Sequence, residues 1–110
     1  MEQLSALGNS PDFLEKLVDH FQFDTDNLIN SMHFSLRGAR YQKLKDEAHG
    51  VKGAAGNIGA TKLAATAQQI NRSTHEVLKQ QGSQLLKQLK TDFTDTIRLM
   101  RAYCEEKRNI

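Results

Sequence analysis

The sequence predicts an all-α fold, an antiparallel up-down-up-down four-helix bundle with a short extra N-terminal helix. Three observations lead there. Apolar residues recur at i, i+3/i+4 over long stretches, which lines them up along one stripe of a helix. Runs of β-branched residues suited to strands are missing, and the 110 residues hold one proline, no tryptophan and glycines clustered at a few places. The gaps between periodic segments are short, about two to five residues, so consecutive helices must run antiparallel. A chain of this length is expected to be one domain, residues 1–110, with a single core and little to spare.

The elements follow in order. Glu2 to Leu7 reads as a short helical turn stopped at Gly8. Ser10-Pro11 is an N-cap followed by proline at the first helical position, and Asp12 and Glu15 complement the helix dipole. Leu14, Leu17, Val18, Phe21, Leu28, Met32 and Leu36 then mark a long first helix from Pro11 to Arg37, with Gly38 as its C-cap. Tyr41, Leu44, Ala48, Val51 and Ala55 give the second helix, broken by Gly56-Asn57-Ile58-Gly59, with Ile58 plugging the bundle end. The third carries Leu63, Ala67, Ile70, Thr74, Val77 and Leu78, and Gln81-Gly82-Ser83 is read as its stop and the next cap. The last carries Leu86, Leu89, Phe93, Ile97, Met100 and Tyr103 and frays through Glu105 to Arg108. Phe21, Phe23 and Phe34 are assigned to core or bundle-end packing, and Cys104 to a half-buried position.

Composition removes several function classes. A formal net charge of +2 without a concentrated basic stripe argues against nucleic acid as a partner. A lone cysteine forms no internal disulfide and suits a reducing cytoplasm. No apolar run reaches the ~20 residues that span a bilayer, and no signal-peptide pattern opens the chain. No membrane contact, a cytoplasmic location and a monomer are therefore the expectations.

Function is concentrated in Ala48-His49-Gly50-Val51-Lys52-Gly53-Ala54-Ala55-Gly56. At about 100° per residue, Lys52, Gly53 and Gly56 share a flank with His49, while Ala48 and Val51 turn to the core. The stripe Gln42, Lys45, Asp46, His49, Lys52, Gly53, Gly56 holds only polar residues and glycine, so it faces water. Glycine inside a helix costs roughly 1 kcal/mol relative to alanine, so three of them near one histidine need a reason beyond folding. An imidazole in water is a nucleophile at neutral pH, and attack on a phosphoryl donor gives a labile phosphoramidate. Lys52 and Lys45 would screen the new charge, and the glycines would let another protein approach.

The string Ala48-His49-x-x-Lys52-Gly53, then Ala55-x-Asn57-Ile58-Gly59-Ala60 and Leu63-Ala64, resembles the histidine-containing phosphotransfer (HPt) domain family. Leu4 to Leu17, with Leu7-Gly8 and Phe13-Leu14, is similar to the start of HPt domains at the C-termini of bacterial hybrid sensor histidine kinases. The resemblance implies a four-helix bundle that takes a phosphoryl group from a response-regulator receiver-domain aspartate and passes it to another receiver. It implies phosphorylation of His49 at Nε2, a phosphate-neighbouring role for Lys52, and receiver docking over Gly53, with Gly56, Gln42 and Asp46 along the same stripe. The following helix can lend a polar side chain: Asn71 stands at about that place, and Gln68 and Gln69 lie a turn earlier. No cofactor is expected on this chain, the Mg²⁺ of the transfer belonging to the receiver, and any membrane anchor would belong to the parent kinase of which this domain is a module.

Other readings of the same residues are weaker. His20, His33 and His75 lack the lysine–glycine context and read as boundary or surface residues. Asp46-x-x-His49 echoes the ligand pairs of di-metal bundles, but that chemistry wants two such pairs and two inward carboxylates. Asp46-Glu47-Ala48-His49 spells a helicase tetrad without any phosphate-binding loop. A hydrolase using His49 as general base lacks a paired nucleophile. The rival from another class is a helical interaction module that binds a receiver or other protein without being phosphorylated. With no nucleotide-binding element, the chain is expected to be a phosphoryl carrier and not an enzyme.

Overall fold

The computed structural model describes residues 11–108. The expected N-terminal helix at Glu2 to Leu7 and the Ser10 cap lie outside them. Four helices follow: α1 (Pro11–Arg37), α2 (Tyr41–Ile58), α3 (Thr61–Arg72) and α4 (His75–Arg108). Each packs on its neighbours in a square, α1 also closing against α4, while α2 and α4 touch only slightly across the diagonal. This is the up-down-up-down bundle that the short connections require.

One face of each helix supplies the core. On α1 these are Leu14, Val18, Phe21, Ile29 and Met32; on α2, Leu44, Ala48, Val51, Ala55 and Ile58. α3 supplies Leu63, Ala67 and Ile70, and α4 supplies Leu78, Leu86, Leu89, Phe93, Met100 and Cys104. The α1–α2 and α3–α4 connections lie at the same end, so the surplus length of α1 and α4 runs on together at the other end. Arg101 binds Asp19 at 2.8 Å and Gln22 at 2.7 Å, and Arg108 reaches Glu15 at 2.5 Å. The molecule is accordingly elongated, 50 × 19 × 18 Å.

Several boundaries differ from the sequence expectation. The third helix stops at Arg72, not at Gln81-Gly82-Ser83, and α4 passes through Gly82 without a break. The interruption is Ser73-Thr74, where the Val77 amide donates to Thr74 Oγ1 at 3.2 Å and caps α4. Thr74 is thus a cap and not a core position, and Val77 and Leu78 belong to α4. Gly82 is buried because Leu36 occupies its side-chain space: a Cβ there would lie 2.6 Å from Leu36 Cδ1.

α1 ends at Arg37 as expected, but the turn after it differs. Ala39, not Gly38, takes the left-handed conformation at φ 54°, with Arg40 N bonded to Ser35 O at 2.8 Å and Ala39 N to Leu36 O at 3.1 Å. The α2 helix continues through Gly56 and Asn57 to Ile58 and ends at Gly59, whose φ of 77° suits a residue without Cβ. Ala60 N to Ala55 O at 2.9 Å and Gly59 N to Gly56 O at 3.2 Å close that end, and Ile58 is buried as expected.

Two phenylalanines and the chain end depart from their assignments. Phe23 is 67% and Phe34 70% exposed, so only Phe21 of the three joins the core. Ile29 fills the place along α1 for which Leu28 was expected, and Leu28 is half-buried. The last helix stays regular to Arg108, anchored by Glu15, and Cys104 is buried instead of half-buried. Some polar groups pair across helices, Ser31 and Ser35 of α1 both donating to the Glu47 carboxylate of α2, whereas the buried Thr25 hydroxyl of α1 has no hydrogen-bond partner among the described residues. Asp92 of α4 accepts from Thr66 of α3 and Gln88, with Lys62 at 3.7 Å.

Candidate functional site

The site is built on α2, whose packing decides what faces outward. Leu44, Ala48, Val51 and Ala55 are fully buried, which turns His49 into solvent. Glu47, held by Ser31 and Ser35, and Gly50, facing Leu28, mark the flank toward α1. His49 lies on the opposite flank, toward α3, with half-buried Lys45 and Lys52. A Cβ built on Gly53 or Gly56 would meet nothing within 4 Å. Bare backbone therefore borders the imidazole on the side away from the α1 contact.

The neighbouring residues named from sequence fall into two groups. Gln42 and Asp46 are exposed and joined to each other, Gln42 Nε2 donating to Asp46 Oδ1 at 3.0 Å, along the stripe that carries His49. Asn71 and Gln68 come from α3. Asn71 Nδ2 donates to the Lys45 carbonyl at 3.0 Å, so its amide nitrogen ties α3 to the backbone of α2. The Gln68 side-chain amide rests against the Arg72 guanidinium, 2.9 Å from Nη1, 3.0 Å from Nη2 and 3.2 Å from Nε, and turning the amide brings its oxygen to that position. Arg72 was not singled out from sequence. The Gln68-x-x-x-Arg72 spacing was the available signal, since residues four apart share a helix face.

The other histidines stand apart from this constellation. His20 is exposed and 3.8 Å from Asp24, His33 lies in a groove with Lys87 and Lys90, and His75 packs its ring 5.7 Å from that of Tyr41. No cluster of three or more metal-ligating side chains occurs among the described residues, and no described helix is long and apolar enough to cross a membrane. Chemically, the arrangement offers one accessible nucleophilic ring, cations on its α3 side and an unobstructed strip for another protein's backbone.

Comparison with known proteins agrees in fold and region. The family model for the Hpt domain matches residues 16–105. A crystal structure of histidine-containing phosphotransfer protein B (HptB) from Pseudomonas aeruginosa PAO1 superimposes with a TM-score of 0.80 at 25% identity, covering 96% of this chain and 92% of that one. Among curated proteins, none matches.

Proposed function

The chain belongs to the Hpt domain family, and from that premise we propose that His49 is its phosphorylated residue and that the domain is a phosphorelay intermediate between two receiver domains. Hpt domains interact with receivers in general, and as a phosphoryl carrier rather than a kinase this one depends on such a partner for its donor. One observation carries the reading. His49 stands in solvent beside Lys52, with open space over Gly53 and Gly56 on the same strip.

The transfer needs little from this chain beyond position. The Nε2 lone pair attacks the phosphorus of the receiver's acyl phosphate. An N–P bond forms, the P–O bond to the aspartate breaks, and the carboxylate leaves with the electron pair. The ring proton stays on Nδ1 until water removes it, so no base from this chain is required. Lys52 and Lys45 screen the transferred charge, Gln68 and Asn71 border it from α3, and Gln42, Asp46, Gly53 and Gly56 form the receiver-docking strip. A Mg²⁺ held by the receiver would supply charge neutralisation on the partner's side. The domain acts as a cytoplasmic monomer without nucleic-acid or membrane contact.

Two parent arrangements fit this role. The N-terminal resemblance supports a C-terminal module of a hybrid sensor kinase, and a separate carrier is the other arrangement. An antibody to the domain, read against the size of the cellular protein, separates them. The role itself is tested by His49→Gln, which is expected to keep binding a receiver while losing transfer from it. Transfer that persists in the variant would show that His49 is not the acceptor, and a wild type that binds a receiver without taking label from it would favour an interaction module that is never phosphorylated.

A further inference from the structure

We propose that Arg72 is a second phosphate-contacting cation of the His49 site, held toward it by Gln68. This rests on the reading of His49 as the phosphoryl acceptor. The placement comes from helix register. Asn71 Nδ2 on Lys45 O, at 3.0 Å, fixes α3 against α2 one turn before His49. Because the two helices run antiparallel, the step from Asn71 back to Gln68 goes the same way along the bundle as the step from Lys45 on to His49. Gln68 therefore stands level with His49, on the flank of α3 that borders it.

Arg72 starts a turn farther off but does not stay there. Its guanidinium folds back onto the Gln68 amide oxygen, with Nη1 at 2.9 Å, Nη2 at 3.0 Å and Nε at 3.2 Å. Long helical side chains lean toward the N-terminus, so this direction is the natural one. A single amide oxygen cannot satisfy the five N–H donors of a guanidinium, so donors remain for an incoming anion. The charge is also available. Arg98, Arg101 and Arg108 are all bound to carboxylates, whereas no ion pair among the described residues involves Arg72. A planar guanidinium matches phosphoryl oxygens in a way that the point charges of Lys45 and Lys52 do not. Gln68 is thus a positioning residue that acts through Arg72.

A structural alternative exists and has its own signature. Arg72 lies in the last turn of α3, where a positive charge favours the helix dipole. That role would show in stability and leave transfer untouched. The experiment compares the full chain with Arg72→Ala, Arg72→Lys and Gln68→Leu, using phosphoramidate as a small donor and a phosphorylated receiver as a protein donor. Arg72→Ala is expected to slow single-turnover transfer from the receiver about fivefold, with the loss shrinking at high salt. It is also expected to move the ³¹P resonance of the phosphohistidine. Gln68→Leu should show a similar loss with the charge intact, and Arg72→Lys should recover part of the rate. Wild-type transfer rate and an unmoved resonance in Arg72→Ala would overturn the proposal. If phosphoramidate fails to label His49 in the wild type, the reading of His49 falls first and takes this inference with it.

Discussion

The chemistry proposed for His49 needs the ring left in water, and the residues that keep it there are Ala48 and Val51, whose burial turns it outward. Gly53 contributes by leaving no side chain at all. Gly53→Leu is expected to slow transfer from a receiver roughly tenfold to a hundredfold, as misplacement of a docked partner does, while phosphoramidate still labels the domain. Equal slowing with both donors would show that the glycine serves folding instead of docking. Two other residues make separate claims. Ala39 holds a left-handed backbone at φ 54°, which disfavours any residue with a Cβ by roughly 1 kcal/mol, so Ala39→Gly should raise the free energy of urea unfolding by about that amount. Burial, reinforced by the negative charge of Glu15, pushes the Cys104 thiol upward from its ordinary value of 9.0. Folding therefore favours the neutral thiol, a contribution complete below that value and lost as pH climbs through the higher folded one. Native Cys104 should react with iodoacetamide far more slowly than the urea-unfolded chain at the same pH, and comparable rates would contradict its burial.

At the scale of the element, the informative feature is Gly82, where local preference and tertiary packing disagree. Taken alone, a glycine between polar residues reads as a stop. In the bundle it is the place where Leu36 of α1 enters α4, and the stop falls eight residues earlier at Thr74. Gly82→Ala should be less favourable in the wild type than where Leu36 is truncated, because the Leu36 Cδ1 must first give way. In a Leu36→Ala background the same change should stabilise by about 1 kcal/mol, because only helix preference remains. Additive effects in the two backgrounds would show that Leu36 does not set the constraint. The same contrast explains what the sequence could show. The stripes of α1 and α2 were legible because they need only the 3.6-residue repeat. The α3–α4 break was not, because Ser73-Thr74 carries no glycine or proline and Thr74 fits the apolar stripe of the preceding helix by spacing.

On the scale of the whole molecule, four helices serve to present one strip of α2 while α3 stands alongside it. His49, Lys52, Gly53 and Gly56 could be placed together from sequence because they share one helix. The Gln68–Arg72 pair could not, because its level against His49 depends on the contact of Asn71 with the Lys45 carbonyl. Exposed Phe23 and Phe34 were misassigned for a related reason: aromatic character alone does not say which face of α1 meets a neighbour. The most direct test of the central claim follows label from a receiver phosphorylated with ³²P into the full-length domain, then locates it by peptide mapping under alkaline conditions that preserve phosphohistidine. The expected result is one acid-labile phosphate per chain on the peptide containing His49, and none in His49→Gln. Label that survives in His49→Gln, or that maps to His20, His33 or His75, would contradict it.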